Sequence, residues 1–367
     1  MKVLLVSDVI DLDSPSIYTL DVAEELVRSG HQVRLVCAGS RCDALLAGFR
    51  QEVKDAKGQD EDILVESPGL TTPVLSWVRK AELKRRLKGF RPEVVHACCE
   101  SAADAGEALA RAFGAPLLVT CHKYYDRPPF RLSPVLKTVI TVSDALREHL
   151  VNEAGMPKEL VAVLSNGINL RNYEVSFEEP EEERTVVVGT FGKMLERKGQ
   201  DYLLKAAARV LSEGRKAHFL FAGEGPREGY LRALAERLGV RENVTFSNYP
   251  FRAHSVIREM DIFVLPSVRE SFGFSALEAL AFGKPVVAFG VGGVYTFIKD
   301  GETGLIVPAR DVEGLAAALM ELIDDPAKRV RLGRQGRMLV EEKFAMEKLI
   351  PRLVGLYERA AGGGEAD

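Results

Sequence analysis

Ile262-Phe263-Val264-Leu265-Pro266-Ser267-Val268-Arg269-Glu270-Ser271-Phe272-Gly273-Phe274-Ser275-Ala276-Leu277-Glu278-Ala279-Leu280-Ala281-Phe282-Gly283 spells out a strand, a loop and a helix in one short stretch. The uninterrupted apolar run at 262–265 has the character of a strand buried on both faces, as in parallel sheets covered by helices. Pro266 closes the strand, Gly273 marks the loop, and from about Ser275 apolar residues recur at helical spacing until Gly283 stops the helix. Such a junction leaves the N–H groups at Phe274, Ser275 and Ala276 without helical partners and aims the positive end of the helix dipole past the strand, which makes an anion site. Glu270 in the loop and Glu278 inside the helix add two carboxylates eight residues apart. Carboxylates accept hydrogen bonds from sugar hydroxyls, so the stretch suits a ligand with both a phosphate and a polyol. From spacing alone, a solvated loop glutamate and a helix-surface glutamate fit the pattern too.

The same alternation runs outward in both directions. Apolar, β-branched runs at 3–6, 32–37, 94–97, 116–120 and 138–142 alternate with amphipathic stretches such as 20–28 and 102–113, which stop at Gly30 and Gly114. The rhythm restarts at 185–189 and continues through 218–222, 244–246, 262–265 and 285–288 to 304–307. Residues 175–184, acidic with one Pro, read as a solvated connection between the two series. Alternating strands and helices predict an α/β chain with parallel sheets, and 367 residues suffice for two domains at about 150 each. Open sheets of this kind bind ligands beyond the C-terminal strand ends, so two facing sheets would hold a substrate between them. The glycines at 362–364 are expected to fray.

Composition removes several classes of function. With 46% hydrophobic and 28% charged residues the chain is neither disordered, collagen-like nor a coiled coil. The net charge of −4 supplies no cationic field for nucleic acid, so none is expected as a partner. The apolar start at 3–6 is broken at once by Ser7 and Asp8, and no apolar run reaches spanning length, which predicts a cytosolic protein. Cys37, Cys42, Cys98, Cys99 and Cys121 are odd in number and form no Cys-x-x-Cys pair, so they read as small hydrophobes rather than disulfides or zinc ligands.

Two further strand-to-helix turns carry chemistry. Residues 189–199 place Gly192, Lys193 and Lys198 directly after a strand, where two cations would neutralise the charge that grows on a departing diphosphate. This is no phosphate-binding P-loop, because Met194 stands where the Ser or Thr would be. The turn at 222–226 allows close backbone approach at Gly223. The stretch 77–91 carries seven basic residues and one acid, a net of +6, which suits an anionic bilayer or a solvated helix. The aromatic loop at 124–130 would close on a bound molecule or pack against its own domain.

Taken together these residues resemble the retaining, nucleotide-sugar-dependent glycosyltransferases of family 4. The resemblance rests on Gly30-His31-Gln32-Val33, the segment 92–97, the strand ending at His122, Val142-Ser143, Ser165-Asn166-Gly167-Ile168, the 192–199 loop, the 222–226 turn and above all Glu270-x7-Glu278. It implies the GT-B fold: two doubly wound, Rossmann-like domains facing across a cleft, residues 1–170 with a crossover helix at about 345–361 on the acceptor side, and residues 171–344 binding the nucleotide sugar. It further implies hexosyl transfer from a nucleoside diphosphate sugar to an acceptor hydroxyl without metal or other cofactor. Glu270 then contacts donor-sugar hydroxyls and Glu278 the ribose, while Lys193 and Lys198 hold the diphosphate. Amides around Gly273, Phe274 and Ser275 line sugar and phosphate, Gly192 and Gly223 lie near the nucleotide, and His122 sits at the donor sugar's edge. The acceptor is implied to be a surface glycan or a lipid-linked molecule, with the enzyme cytoplasmic and peripheral at the inner membrane face. Where the family commonly has a Gly-Gly turn after its first strand, this chain reads Asp11 through Ile17 with Pro15, which fixes φ and removes a donor, so a backbone contact there must change. Asp11-Leu12-Asp13 also forms an Asp-x-Asp, a cation-holding pattern in transferases of another fold. A sugar-nucleotide epimerase of the same fold and a binding-only relative remain open readings.

Overall fold

The computed structural model describes residues 1–11, 13–57, 63–68, 70, 82–83, 85–87, 89–175, 177, 184–247 and 254–362. The glycine tail at 363–364, most of the 175–184 connection and residues 77–81, 84 and 88 of the basic stretch lie outside them. The chain forms two compact units, Met1–Gly167 together with Met346–Asp367, and Ile168–Ala345.

The first unit is built on a seven-stranded parallel sheet. Its strands are β1 (Lys2–Val6), β2 (Gln32–Cys37), β3 (Leu64–Glu66), β4 (Val94–Ala97), β5 (Leu117–Cys121), β6 (Leu136–Thr141) and β7 (Val161–Val163). They lie in the order β3-β2-β1-β4-β5-β6-β7. Helices cover the sheet, so strand neighbours such as Leu4 and Leu5, which point to opposite faces, are both buried. Helix α1 (Ser14–Arg28), α2 (Asp43–Lys57), α3 (Ala103–Phe113) and α4 (Asp144–Asn152) follow β1, β2, β4 and β6. The last helix of the chain, Met346–Ala360, also belongs here: Met346, Leu349, Ile350, Leu353 and Tyr357 join the core containing Val3, Leu5 and Tyr18.

The expected loop at residues 11–17 is corrected by the structure. Helix α1 begins at Ser14, with the Asp13 side chain accepting from the Ser16 N–H at 3.1 Å as its N-cap. Pro15 therefore occupies the first helical turn, where its missing N–H has no ladder partner to lose. Asp11 instead donates its N–H to Ser16 Oγ and pairs loosely with Arg41 at 3.7 Å.

The second unit repeats the plan with six parallel strands, β8 (Val186–Phe191), β9 (Ala217–Ala222), β10 (Val244–Ser247), β11 (Ile262–Leu265), β12 (Val286–Phe289) and β13 (Leu305–Val307). Their order is β10-β9-β8-β11-β12-β13. The strand order therefore reverses between β8 and β11, and the loops leaving these neighbours diverge to opposite sides, which opens a crevice at their C-terminal ends. The helices used below are α5 (Gln200–Ser212) after β8, α6 (Glu228–Arg237) after β9 and α7 (Phe274–Ala281) after β11. Helices α8 (Val312–Asp324) and α9 (Pro326–Leu339) close the unit, and the chain's last helix is α10. No helix among the described residues is long and apolar enough to cross a membrane.

Candidate active site

The site in the second unit is assembled by three strand ends. After β8 the chain runs through Gly192 and Lys193, buries Met194, and makes a single 3-10 turn at Glu196–Lys198 before α5. After β9 it turns through Gly223. The two loops are zipped together by Gly192 N–H to Ala222 O at 3.0 Å, Met194 N–H to Glu224 O at 2.7 Å and Arg227 N–H to Met194 O at 3.2 Å. Gly223 has φ +132° and its missing Cβ would collide with the Gly192 carbonyl, so only glycine allows the closure. Gly223 thus lies directly against the backbone at Gly192, and Lys193 stands exposed beside them.

The third element is the loop between β11 and α7. Val268 donates its N–H to Arg197 O at 2.9 Å, which fixes this loop against the β8 loop. Across that seam Lys198 Nζ meets Glu270 Oε2 at 2.6 Å, and Ser267 Oγ donates to the same oxygen at 3.1 Å. The ion pair is nearly dry, with side-chain exposures of 18% for Lys198 and 8% for Glu270. Burial would push the Glu270 carboxyl up; the Lys198 ammonium, followed by Arg197 and the Ser267 hydroxyl, outweighs it and holds the group below its ordinary value. Gly273, at φ +97°, then swings the chain into α7. Its carbonyl accepts from Ala276 N–H at 2.9 Å, which leaves the Phe274 and Ser275 amides outside the helical ladder at the positive end of the dipole. Glu278, half-way along α7, is 2% exposed and accepts from Tyr173 Oη at 3.1 Å.

What this arrangement offers is a half-buried ammonium, a buried carboxylate and an open helix N-terminus at the reversal point of a parallel sheet. Groups of these kinds suit an anion joined to a hydroxyl-rich group. Among the described residues no cluster of three His, Cys, Asp or Glu side chains is placed to hold a metal ion.

Comparison with known proteins gives this chemistry a lineage. Residues 16–172 match the family description "Glycosyltransferase Family 4" and residues 172–338 match "Glycosyl transferases group 1". An alpha-D-kanosaminyltransferase of Streptomyces kanamyceticus is 30% identical across 77% of this chain and 81% of its own length. The chain belongs to the group 1, family 4 glycosyltransferases. A D-inositol 3-phosphate glycosyltransferase of Rhodococcus erythropolis is 29% identical over 96% of this chain and 87% of that protein. The structure of Anabaena HepE in complex with UDP and glucose superposes with a TM-score of 0.77 at 18% identity, covering 97% and 98% of the two chains. At that identity the likeness shows the shared GT-B fold of two parallel-sheet domains.

In this glycosyltransferase the sequence-derived residues are drawn from both units. Lys198 and Glu270 are in contact, Gly192 and Gly223 abut, and Gly273 stands directly beside the Glu270 side chain. His122 belongs to the first unit, at the end of β5. It is buried, its Nε2 donates to the Cys98 carbonyl at 2.9 Å, and its ring meets Tyr18 edge-on at a centroid distance of 5.2 Å. Burial lowers its pKa despite nearby Glu100, so at neutral pH it is an uncharged ring with the Nε2 proton. The 124–130 loop takes the packed alternative: Tyr124 rests edge-on against His149, whose Nε2 donates to Tyr125 O at 2.9 Å.

Three functional contributors were not singled out in the sequence. Ser267 lies within the quoted stretch, but nothing in the pattern marks its hydroxyl as a partner for Glu270. The Gly292-Gly293 pair after β12 follows the same strand-then-glycine cue used elsewhere, and Gly293 donates its N–H to Glu270 O at 3.1 Å, bracing the loop from behind. Tyr173 sits far from Glu278 in sequence, and no local signal pairs them.

Proposed function

We propose that this glycosyltransferase moves a hexosyl unit from a nucleoside diphosphate sugar to an acceptor hydroxyl with retained anomeric configuration. The observation that carries the reading is the buried Lys198–Glu270–Ser267 cluster beside the open N-terminus of α7. As the bond from sugar to diphosphate breaks, charge grows on the leaving oxygen. A preorganised ammonium and helix amides in a dry site stabilise that charge without reorganising. Lys198 takes this part, Lys193 adds a second cation at the rim, and the amides of Gly273, Phe274 and Ser275 line phosphate and sugar. Glu270 accepts from donor-sugar hydroxyls, Glu278 from the ribose, and Gly192 and Gly223 admit the nucleotide against the backbone. His122, being neutral, serves as a hydrogen-bonding group at the sugar's edge. With lysines in the cation's place the reaction requires neither metal nor resident cofactor; the nucleotide sugar is substrate. The UDP and glucose held by the Anabaena structure support a UDP-hexose donor. The basic stretch at 77–91 supports a lipid-linked or surface-glycan acceptor and peripheral contact with the inner membrane face from the cytoplasm.

The test is a thermal-shift panel of UDP, GDP, ADP, TDP and CMP, with and without magnesium, on wild type and Glu278→Ala. A ligand at about 100-fold over its dissociation constant stabilises the native state by roughly 2.7 kcal/mol, several degrees here. One diphosphate should give a magnesium-independent shift that Glu278→Ala markedly weakens. Glu270→Ala should keep most of that shift and lose transfer. No shift with any nucleotide would overturn the reading.

A further inference from the structure

We infer that Tyr173 is a positioning residue that sets the ribose preference of the nucleotide site by fixing the carboxylate of Glu278. The inference rests on the reading of Glu278 as the ribose acceptor and adds the residue that aims it. Glu278 is 2% and Tyr173 3% exposed, and the Tyr173 phenol donates to Glu278 Oε1 at 3.1 Å. A buried carboxylate needs donors, and one held in a single rotamer by a neutral donor presents its acceptor lone pairs in a single direction.

Tyr173 is itself immobilised, and by the same helix. Its ring lies against Phe282, just past the end of α7, with centroids 4.7 Å apart. Its carbonyl accepts from Arg337 Nη1 at 2.8 Å, and the same guanidinium nitrogen bonds the Ala281 carbonyl in the last turn of α7. Immediately before it, Asn169 caps the short turn Leu170–Asn172 by accepting from Arg171 N–H at 3.3 Å. Phenol, ring and backbone of one residue are thus all tied to the helix that carries Glu278. The tether fixes the phenol to the helix, so the carboxylate direction is set by the Tyr173 hydroxyl rather than by ligand arrival. A fixed acceptor discriminates against ligands lacking the matching hydroxyl, since such a ligand forfeits a charge-assisted hydrogen bond to a carboxylate already aimed at it.

The experiment compares binding of UDP and 2′,3′-dideoxy-UDP by calorimetry to wild type, Tyr173→Phe and Glu278→Ala; if the nucleotide panel selects another base, the same pair is used for that base. Wild type should prefer the ribonucleotide and Glu278→Ala should lose the preference. Tyr173→Phe, which keeps the ring and its packing, should weaken UDP binding roughly three- to tenfold, the worth of one hydrogen bond, while leaving the dideoxy ligand nearly unchanged. A purely structural role would move both ligands together or neither, and an undiminished preference in Tyr173→Phe with a lost one in Glu278→Ala would overturn the inference alone. A preference that survives Glu278→Ala would overturn the ribose assignment beneath it.

Discussion

Replacing Lys198 with Met keeps the stem and removes the charge, which isolates what the ammonium contributes to the second unit. Its partner, Glu270, is left in a site where burial is the largest influence on its carboxyl and acts to raise it. Removing one member of a buried ion pair costs about 3–5 kcal/mol. The 18% exposure of Lys198 lets water relieve part of this, so about 2–3 kcal/mol is the reasonable size. At roughly 2–4 °C per kcal/mol for a unit of this length, the calorimetric melt should fall by about 4–12 °C. The sign of the pH dependence is a sharper check. In the wild type the folded Glu270 value is depressed, so its contribution is present above the unfolded carboxyl value and lost as pH falls through the folded one. In Lys198→Met the folded value is raised instead, so stability is lost as pH climbs from the unfolded value to the folded one. The gap between the two proteins should therefore be wider at about pH 7.5 than at about pH 4.5. Lys198→Met/Glu270→Gln, with both charges gone, should recover at least half of the loss. A gap that is the same at both pH values, or a double variant no more stable than the single, would refute the reasoning.

Two other outcomes follow from the geometry. His96 is held at about 3, mainly by burial, so between 6.5 and that value unfolding takes up a proton and stability falls by about 1.4 kcal/mol per pH unit on acidification; His96→Leu should show a shallower slope in urea midpoints across that window, and an unchanged slope would show that the ring is not the acid-sensitive group. Gly223→Ala forces a Cβ into the Gly192 carbonyl at positive φ and should cost at least about 2 kcal/mol together with nucleotide binding; a variant that melts and binds as wild type would show that the two loops separate freely.

The sequence made the fold legible where burial on both faces left no choice. Runs such as Val94–Ala97 and Ile262–Leu265 have no polar residue that solvent exposure would require, apart from His96, whose ring bonds Tyr357 Oη at 2.8 Å and Thr120 Oγ1 at 2.7 Å. The three-residue strands Leu64–Glu66 and Val161–Val163 went unread because so short a run shows no period and because they lie at the sheet edges, where pairing on one side suffices. The start of helix α1 was missed because residues 11–17 were read as a loop with Pro15 removing a backbone donor, while Asp13 is an N-cap after which proline in the first turn is favourable. Of the site, Glu270, Glu278, Lys198 and the Gly273 turn were legible because strand, loop and helix follow each other in sequence. Tyr173 was not, because its pairing depends on how the segment after Gly167 returns to α7.

The placement of α10 has a consequence for synthesis of the protein. The second unit is an insertion: the chain leaves the first unit at Gly167 and re-enters it at Met346, whose side chain lies beside Gly167. Helix α10 then delivers Leu349, Ile350, Leu353 and Tyr357 to a core otherwise made of residues translated long before. On the ribosome the second unit has every one of its own strands in hand while the first still lacks a layer, and His96 has no Tyr357 to bond. The inserted unit is thus free to fold first, and the earlier-made unit must wait, partly open and exposing apolar surface, for the final helix to emerge. The chain truncated after residue 345 and released should therefore yield a protease-resistant second unit attached to a first unit that is still digestible.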